Sequence, residues 1–292
     1  MKVYNNKQWV KALFFFSRED TMRKLFPLLL IIIVYSLGIA YWEIEYLHLS
    51  ANSWVKNIPT LHNLLGFAIS ILLVFRTNSA YDRWWEGRKL WGALVNNSRN
   101  LALKLNSLLP IDDEVNRKFF RKTIPLYASS LQKHLQSEIT RFALDEVDHP
   151  ELKNFNSQQH IPNQVAQLLF QRINNLYKEQ RITGEQLITM NNELTAFTDI
   201  CGACERIKNT PIPQSYSTFI KKFIFIYVMT LPFGYVFSLG YYVAPIVGFV
   251  FYVLGSMELV AEEIEDPFGT DSNDLPMEKM ASNIKKHVAE IL

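Results

Sequence analysis

Reactive side chains are present in this sequence, but they are not spaced for a reaction. The six histidines (His48, His62, His134, His149, His160 and His287) are scattered, with no HExxH or paired-histidine motif among them. No nucleophile, base and acid can be assembled from their spacing, and no glycine-rich phosphate loop exists, so the chain is not expected to be an enzyme. Cys201 and Cys204 have the C-x-x-C spacing of a redox pair or half a metal site. With no second pair they read as two buried thiols. Further on, Glu258, Glu262 and Glu265 share one helical face with Glu263 and Asp266 beside it, and Asp271 and Asp274 follow a Pro267-Phe268-Gly269 turn. Such a run forms a solvated acidic surface or pairs with basic residues near 76–89 or in the N-terminal arm.

Physical rather than chemical work is suggested by a different set. Phe67, Ile71 and Phe75 recur every four residues, which puts three large apolar side chains on one face of a helix. On one helix that is a packing stripe. Around an axis shared by several copies, the same stripe makes stacked apolar rings that gate ion flow by dewetting.

The elements that carry these residues are set by hydropathy. Of the 292 residues 49% are hydrophobic, an average close to that of soluble proteins, but the apolar residues are concentrated. Leu25 to Trp42, Ile58 to Phe75 and Phe223 to Met257 contain no charged residue. A membrane crossing needs about 20 helical residues, so the first two stretches fit one span each and the third fits two. Pro232-Phe233-Gly234 and the run Tyr241 to Pro245 mark its breaks or turn. The fold class is therefore all-α: a polytopic membrane protein with four transmembrane helices and a large helical cytoplasmic domain.

Charge orients the spans. Residues 1–24 carry six Lys/Arg and residues 76–104 another six, whereas 43–57 carry one Lys and two Glu. Positive flanks stay inside, which predicts a multi-pass membrane protein with cytoplasmic N- and C-termini. The net charge of +2 gives no reason to expect a nucleic-acid partner. Five segments follow: a basic N-terminal arm over 1–24, two transmembrane helices over 25–80, a cytoplasmic helical domain over 81–215, two more spans over 216–258, and an acidic C-terminal segment over 259–292. Within the cytoplasmic domain the periodicity predicts helices near 89–108, 113–135, 136–146, 162–177 and 183–208. Thr183-Gly184-Glu185-Gln186 has the form of a capping box.

The run Gly66 to Phe75, continuing through Arg76 to Trp85, resembles the second transmembrane helix and following segment of the bestrophin family, particularly its bacterial branch. Cys201-Gly202 followed by Ile212-Pro213, and Asp266-Pro267-Phe268-Gly269, resemble further blocks of that family in the same order. The resemblance implies a homo-pentameric ion channel of a bacterial inner membrane, with a central pore in the lipid bilayer and small inorganic ions as its partners. It places a hydrophobic neck at Phe67, Ile71 and Phe75, and a narrow cytoplasmic aperture at Ile212. The positions matching calcium ligands of animal bestrophins are Glu263, Asp266, Asp271 and Asp274, an oxygen set of the kind calcium takes; Thr270, Ser272 and Asn273 lower its charge. Because the likeness is closest to the bacterial branch, monovalent cations are the expected ions; chloride conduction, or a carrier or non-conducting interaction protein, is the alternative.

Overall fold

The computed structural model describes residues 21–48, 57–136 and 159–292, and every regular element among them is helical. In chain order these are α1 (Thr21–Tyr41) with a π turn (Trp42–Tyr46), α2 (Ile58–Leu108), α3 (Glu114–Gln136), α4 (Ile161–Lys178), α5 (Gly184–Asn209), α6 (Gln214–Leu239), a 3-10 turn (Gly240–Tyr242), α7 (Val243–Glu265) and α8 (Met277–Ile291). Most of the basic arm, and the helix expected over 136–146, lie outside the described residues.

The longest element, α2, follows from an absence. No proline stands between Pro59 and Pro110, and Pro59 falls in the first turn, where its missing N–H costs nothing. The helix therefore runs 51 residues without a break, about 75 Å at 1.5 Å per residue. One seam is buried along it: His62, Ile69, Leu73, Arg76 and Ala80, then Gly87, Trp91, Leu94, Ser98, Leu101 and Leu105, at intervals of three, four or seven. That spacing keeps a single face of a long helix against its neighbours.

Two compact units share this helix. The membrane unit takes the chain up to Arg83 and Pro211–Asp266, and its core is built from Ile32, Ile69, Leu73, Val228, Val247 and Phe251. Three apolar stretches here are long enough to cross a membrane: Thr21–Tyr46, the start of Ile58–Leu108, and Gln214–Glu265. The last is two packed helices, α6 and α7. Pro232 does not break α6, because its ring is accommodated inside the helix; the chain turns instead at Gly240, whose φ of 54° suits a residue without Cβ. Pro245 lies in the first turn of α7, where no intrahelical donor is lost.

The helical unit comprises Trp84–Thr210 and Pro267–Leu292. Its core joins Trp91, Leu101, Phe120, Tyr127, Leu169 and Phe197 to Ile284 and Val288 of α8. Helix α8 was not anticipated: the segment after residue 259 read as acidic surface. Met277, Met280, Ala281, Ile284 and Val288 form a buried face that packs on α3. The expected capping box is present, with Thr183 Oγ1 accepting from the Gln186 amide and the Gln186 side chain accepting from the Thr183 amide. The start of α3 is capped as well: the Asp113 carboxylate accepts the Asn116 N–H, and its carbonyl accepts from Arg117.

Candidate functional site

The face of α2 opposite its buried seam is uncovered in the membrane unit. Phe67, Ile71 and Phe75 are 67%, 39% and 61% exposed, while Ile69, Leu73 and Arg76 are at 1%, 3% and 0%. The stripe is therefore not packing within the protomer. It faces lipid, a partner copy or an aqueous axis.

One residue beyond the stripe, Arg76 turns into the protein. Its Nη2 bonds Glu265 Oε2 at 2.6 Å, and its Nε lies 3.6 Å from Glu258 Oε1. Burying a guanidinium is costly unless it is paired, and two carboxylates from the last turns of α7 supply the pairing. Glu265 does more. Its other oxygen, Oε1, accepts the backbone N–H of Ile212 at 2.7 Å, and its carbonyl accepts from Arg83 Nε at 3.0 Å. Ile212 stands between Pro211 and Pro213, neither of which has an N–H, so its amide is the one donor of that three-residue stretch. A single side chain thus ties α2, at the residue after Phe75, to the Ile212 segment. Pairing of the acidic run with basic residues near 76–89 is one of the two expectations from sequence, and Arg76 and Arg83 meet it at Glu265; the Ile212 amide, 53 residues away in the chain, is the partner that no spacing indicates.

The acidic run is paired and not solvated as a sheet of charge. Lys24 holds Glu263 at 2.6 Å, Lys221 holds Glu262 at 3.0 Å, and Ser217 donates to Glu258. Of the four residues at which calcium was expected, Glu263 and Asp266 belong to the membrane unit and Asp271 and Asp274 to the helical unit. Asp274 Oδ2 accepts the Asp271 N–H at 2.6 Å, closing the turn after Pro267. Glu263 and Asp274 thus have protein partners that compete with a calcium ion for their oxygens. The ring of Phe268, in the same turn, is fully buried beside Gly87, where a Cβ would come within 3.2 Å of it.

Cys201 and Cys204 are free thiols buried in the helical unit. Burial pushes Cys201 up to about 12, and Cys204 is raised by the same cause. Neither is a thiolate at neutral pH, which agrees with a packing role.

A group that no spacing rule could find lies nearby. His134 from the end of α3, His160 at the cap of α4 and Glu205 of α5 converge, with both Nε2 atoms on Glu205 Oε1 at 2.6 and 2.5 Å. Their donor atoms all lie within 4.8 Å of one another, close enough to hold a metal ion. Burial holds His134 below its usual range, against the pull of Glu205. Burial raises Glu205, but the hydrogen bonds from His160 and His134 outweigh it and leave the carboxyl low.

A model of the bacterial and fungal bestrophin proteins matches residues 1–290. A voltage-dependent anion channel-forming protein of Nostoc is 34% identical over 246 residues, 80% of this chain and 79% of that protein. Another, of Escherichia coli K12, is 29% identical over 98% of this chain and 92% of its own length. Among solved structures, a bacterial bestrophin homolog from Klebsiella pneumoniae superposes with a TM-score of 0.75 at 27% identity, covering 90% of this chain and 96% of that one. The expected preference for monovalent cations is overturned by these relatives, which form anion channels by name. The error has a physical source: apolar rings carry no net charge from which an ion's sign can be read.

Proposed function

The chain belongs to the bacterial and fungal bestrophin family, and we propose that it is a homo-pentameric anion channel of a bacterial inner membrane. α1, the apolar start of α2, α6 and α7 are the four crossings, with both termini on the cytoplasmic side, and the helical unit forms the cytoplasmic vestibule. Phe67, Ile71 and Phe75 make the pore neck, and Ile212 the cytoplasmic aperture.

The observation that carries this reading is the exposed stripe. Within one protomer α2 buries its seam and leaves three bulky apolar side chains uncovered in a row. Five copies around an axis turn that row into three stacked rings, which exclude ions while dry and conduct when wetted. The rings are uncharged, so support for anions comes from the relatives that form anion channels by name. Small inorganic anions, chloride among them, are the conducted class. Bilayer recording from the purified protein under a chloride gradient tests the proposal.

A further inference from the structure

We propose that His134, His160 and Glu205 form a binding site for one divalent transition-metal ion of the zinc class, held by two imidazoles and one carboxylate with a fourth position open to water. The site lies wholly in the helical unit and shares no residue with the stripe or with Glu263, Asp266, Asp271 and Asp274.

Three separate elements deliver the donors. His134 comes from the last turn of α3, His160 from the position before α4, and Glu205 from the last turns of α5. Zinc takes imidazole nitrogen and carboxylate oxygen at about 2.0 to 2.2 Å, which sets neighbouring ligand atoms of a tetrahedron a little over 3 Å apart. The observed separations bracket that value: 2.5 and 2.6 Å from each Nε2 to Oε1, and no pair beyond 4.8 Å. Small side-chain rotations open the cluster to the size of the ion. Nitrogen donors select a borderline transition metal over calcium or magnesium, which take oxygen.

The second ring nitrogens differ between the two histidines. His134 Nδ1 is buried and has no hydrogen-bond partner among the described residues. It can therefore carry the ring proton when Nε2 binds a metal. His160 Nδ1 accepts the Asn163 N–H at 3.2 Å, so in the metal-free cluster its proton sits on Nε2 and points at Glu205. Coordination through Nε2 moves that proton to Nδ1 and exchanges the α4 cap bond for a metal bond. The ion would replace two hydrogen bonds to one carboxylate oxygen by a staple joining α3, α4 and α5. All three side chains are partly exposed, which leaves a hydrated ion a route in.

Full-length, tag-free protein in detergent, stripped with chelator, should be titrated calorimetrically with zinc beside His134→Gln and Glu205→Gln. One zinc per chain is expected for the wild type, with affinity weakened at least about tenfold in each variant, since even outer-sphere changes at metal sites have effects of that size. Zinc-edge absorption of the loaded wild type provides a measurement that does not depend on the variants' folding; it should show imidazole scattering and no sulfur. Absence of stoichiometric binding, equal affinity in folded variants, or sulfur ligation by Cys201 or Cys204 overturns the assignment.

Discussion

Glu265 Oε1 accepts the backbone N–H of Ile212 at 2.7 Å while Oε2 of the same carboxylate holds Arg76 at 2.6 Å. The residue next to Phe75 and the residue proposed as the aperture are therefore fixed to one side chain at the end of α7. Arg76 of α2 and the Ile212 amide are thus bridged by two hydrogen bonds to one carboxylate, and the flanking prolines restrict the backbone of the Ile212 segment.

Removing the carboxylate should break both connections. Glu265→Ala leaves Arg76 fully buried with only the longer pairing to Glu258, and loss of a partner from a buried ion pair costs about 3–5 kcal/mol. The expected readout is a lower melting temperature of the detergent-solubilised oligomer. Glu265→Gln keeps an acceptor for Ile212 and should lose less stability. Equal, wild-type melting of both variants would refute the pairing.

Shortening the stripe should widen and wet the neck. In lipid bilayers, single substitutions of Phe67, Ile71 or Phe75 by alanine should raise unitary conductance or open probability several-fold. Because these side chains are exposed in the protomer, the helical content of each variant should be unchanged. Unaltered currents in all three would remove the neck from this stretch of α2.

Ile212→Ala should change relative permeability among anions without changing assembly. The bond to Glu265 uses the backbone and survives the substitution. Reversal potentials under bi-ionic conditions, chloride against a larger anion, measure the effect; the larger anion should gain permeability.

Acid should weaken the helical unit partly through Asp113. Burial raises its carboxyl, but hydrogen bonds from Asn116 and the Arg181 guanidinium outweigh that and hold it below the ordinary range. A lowered carboxylate pKa contributes stability that is present above the unfolded value, near about 4, and is lost as pH falls through the folded one. Asp113→Ala should therefore remove about 1 kcal/mol of capping at pH 7 and flatten the acid limb of a melting curve measured against pH. An acid limb as steep as that of the wild type would contradict this assignment.

The sequence announced some of this and concealed the rest for identifiable reasons. Hydropathy located the spans, proline placement accounts for the uninterrupted α2, and Thr183 to Gln186 displayed its cap openly. These are local properties. The α8 face at Met277, Met280, Ala281, Ile284 and Val288 was equally local but was masked by the acidic residues before it. Glu265 with Arg76 and Ile212, and His134 with His160 and Glu205, are tertiary meetings whose members sit on separate elements with no spacing to betray them. Ion sign was hidden for another reason, since Phe and Ile rings are neutral whichever ion passes.

Anion conduction is tested by current recorded from the purified protein in planar bilayers, with a potassium chloride gradient and no other permeant ion. Discrete openings are expected whose reversal potential lies toward the equilibrium potential of chloride and still follows chloride when potassium is replaced by a bulky cation. Reversal toward the potassium potential, or the absence of unitary openings from folded oligomer, would contradict it.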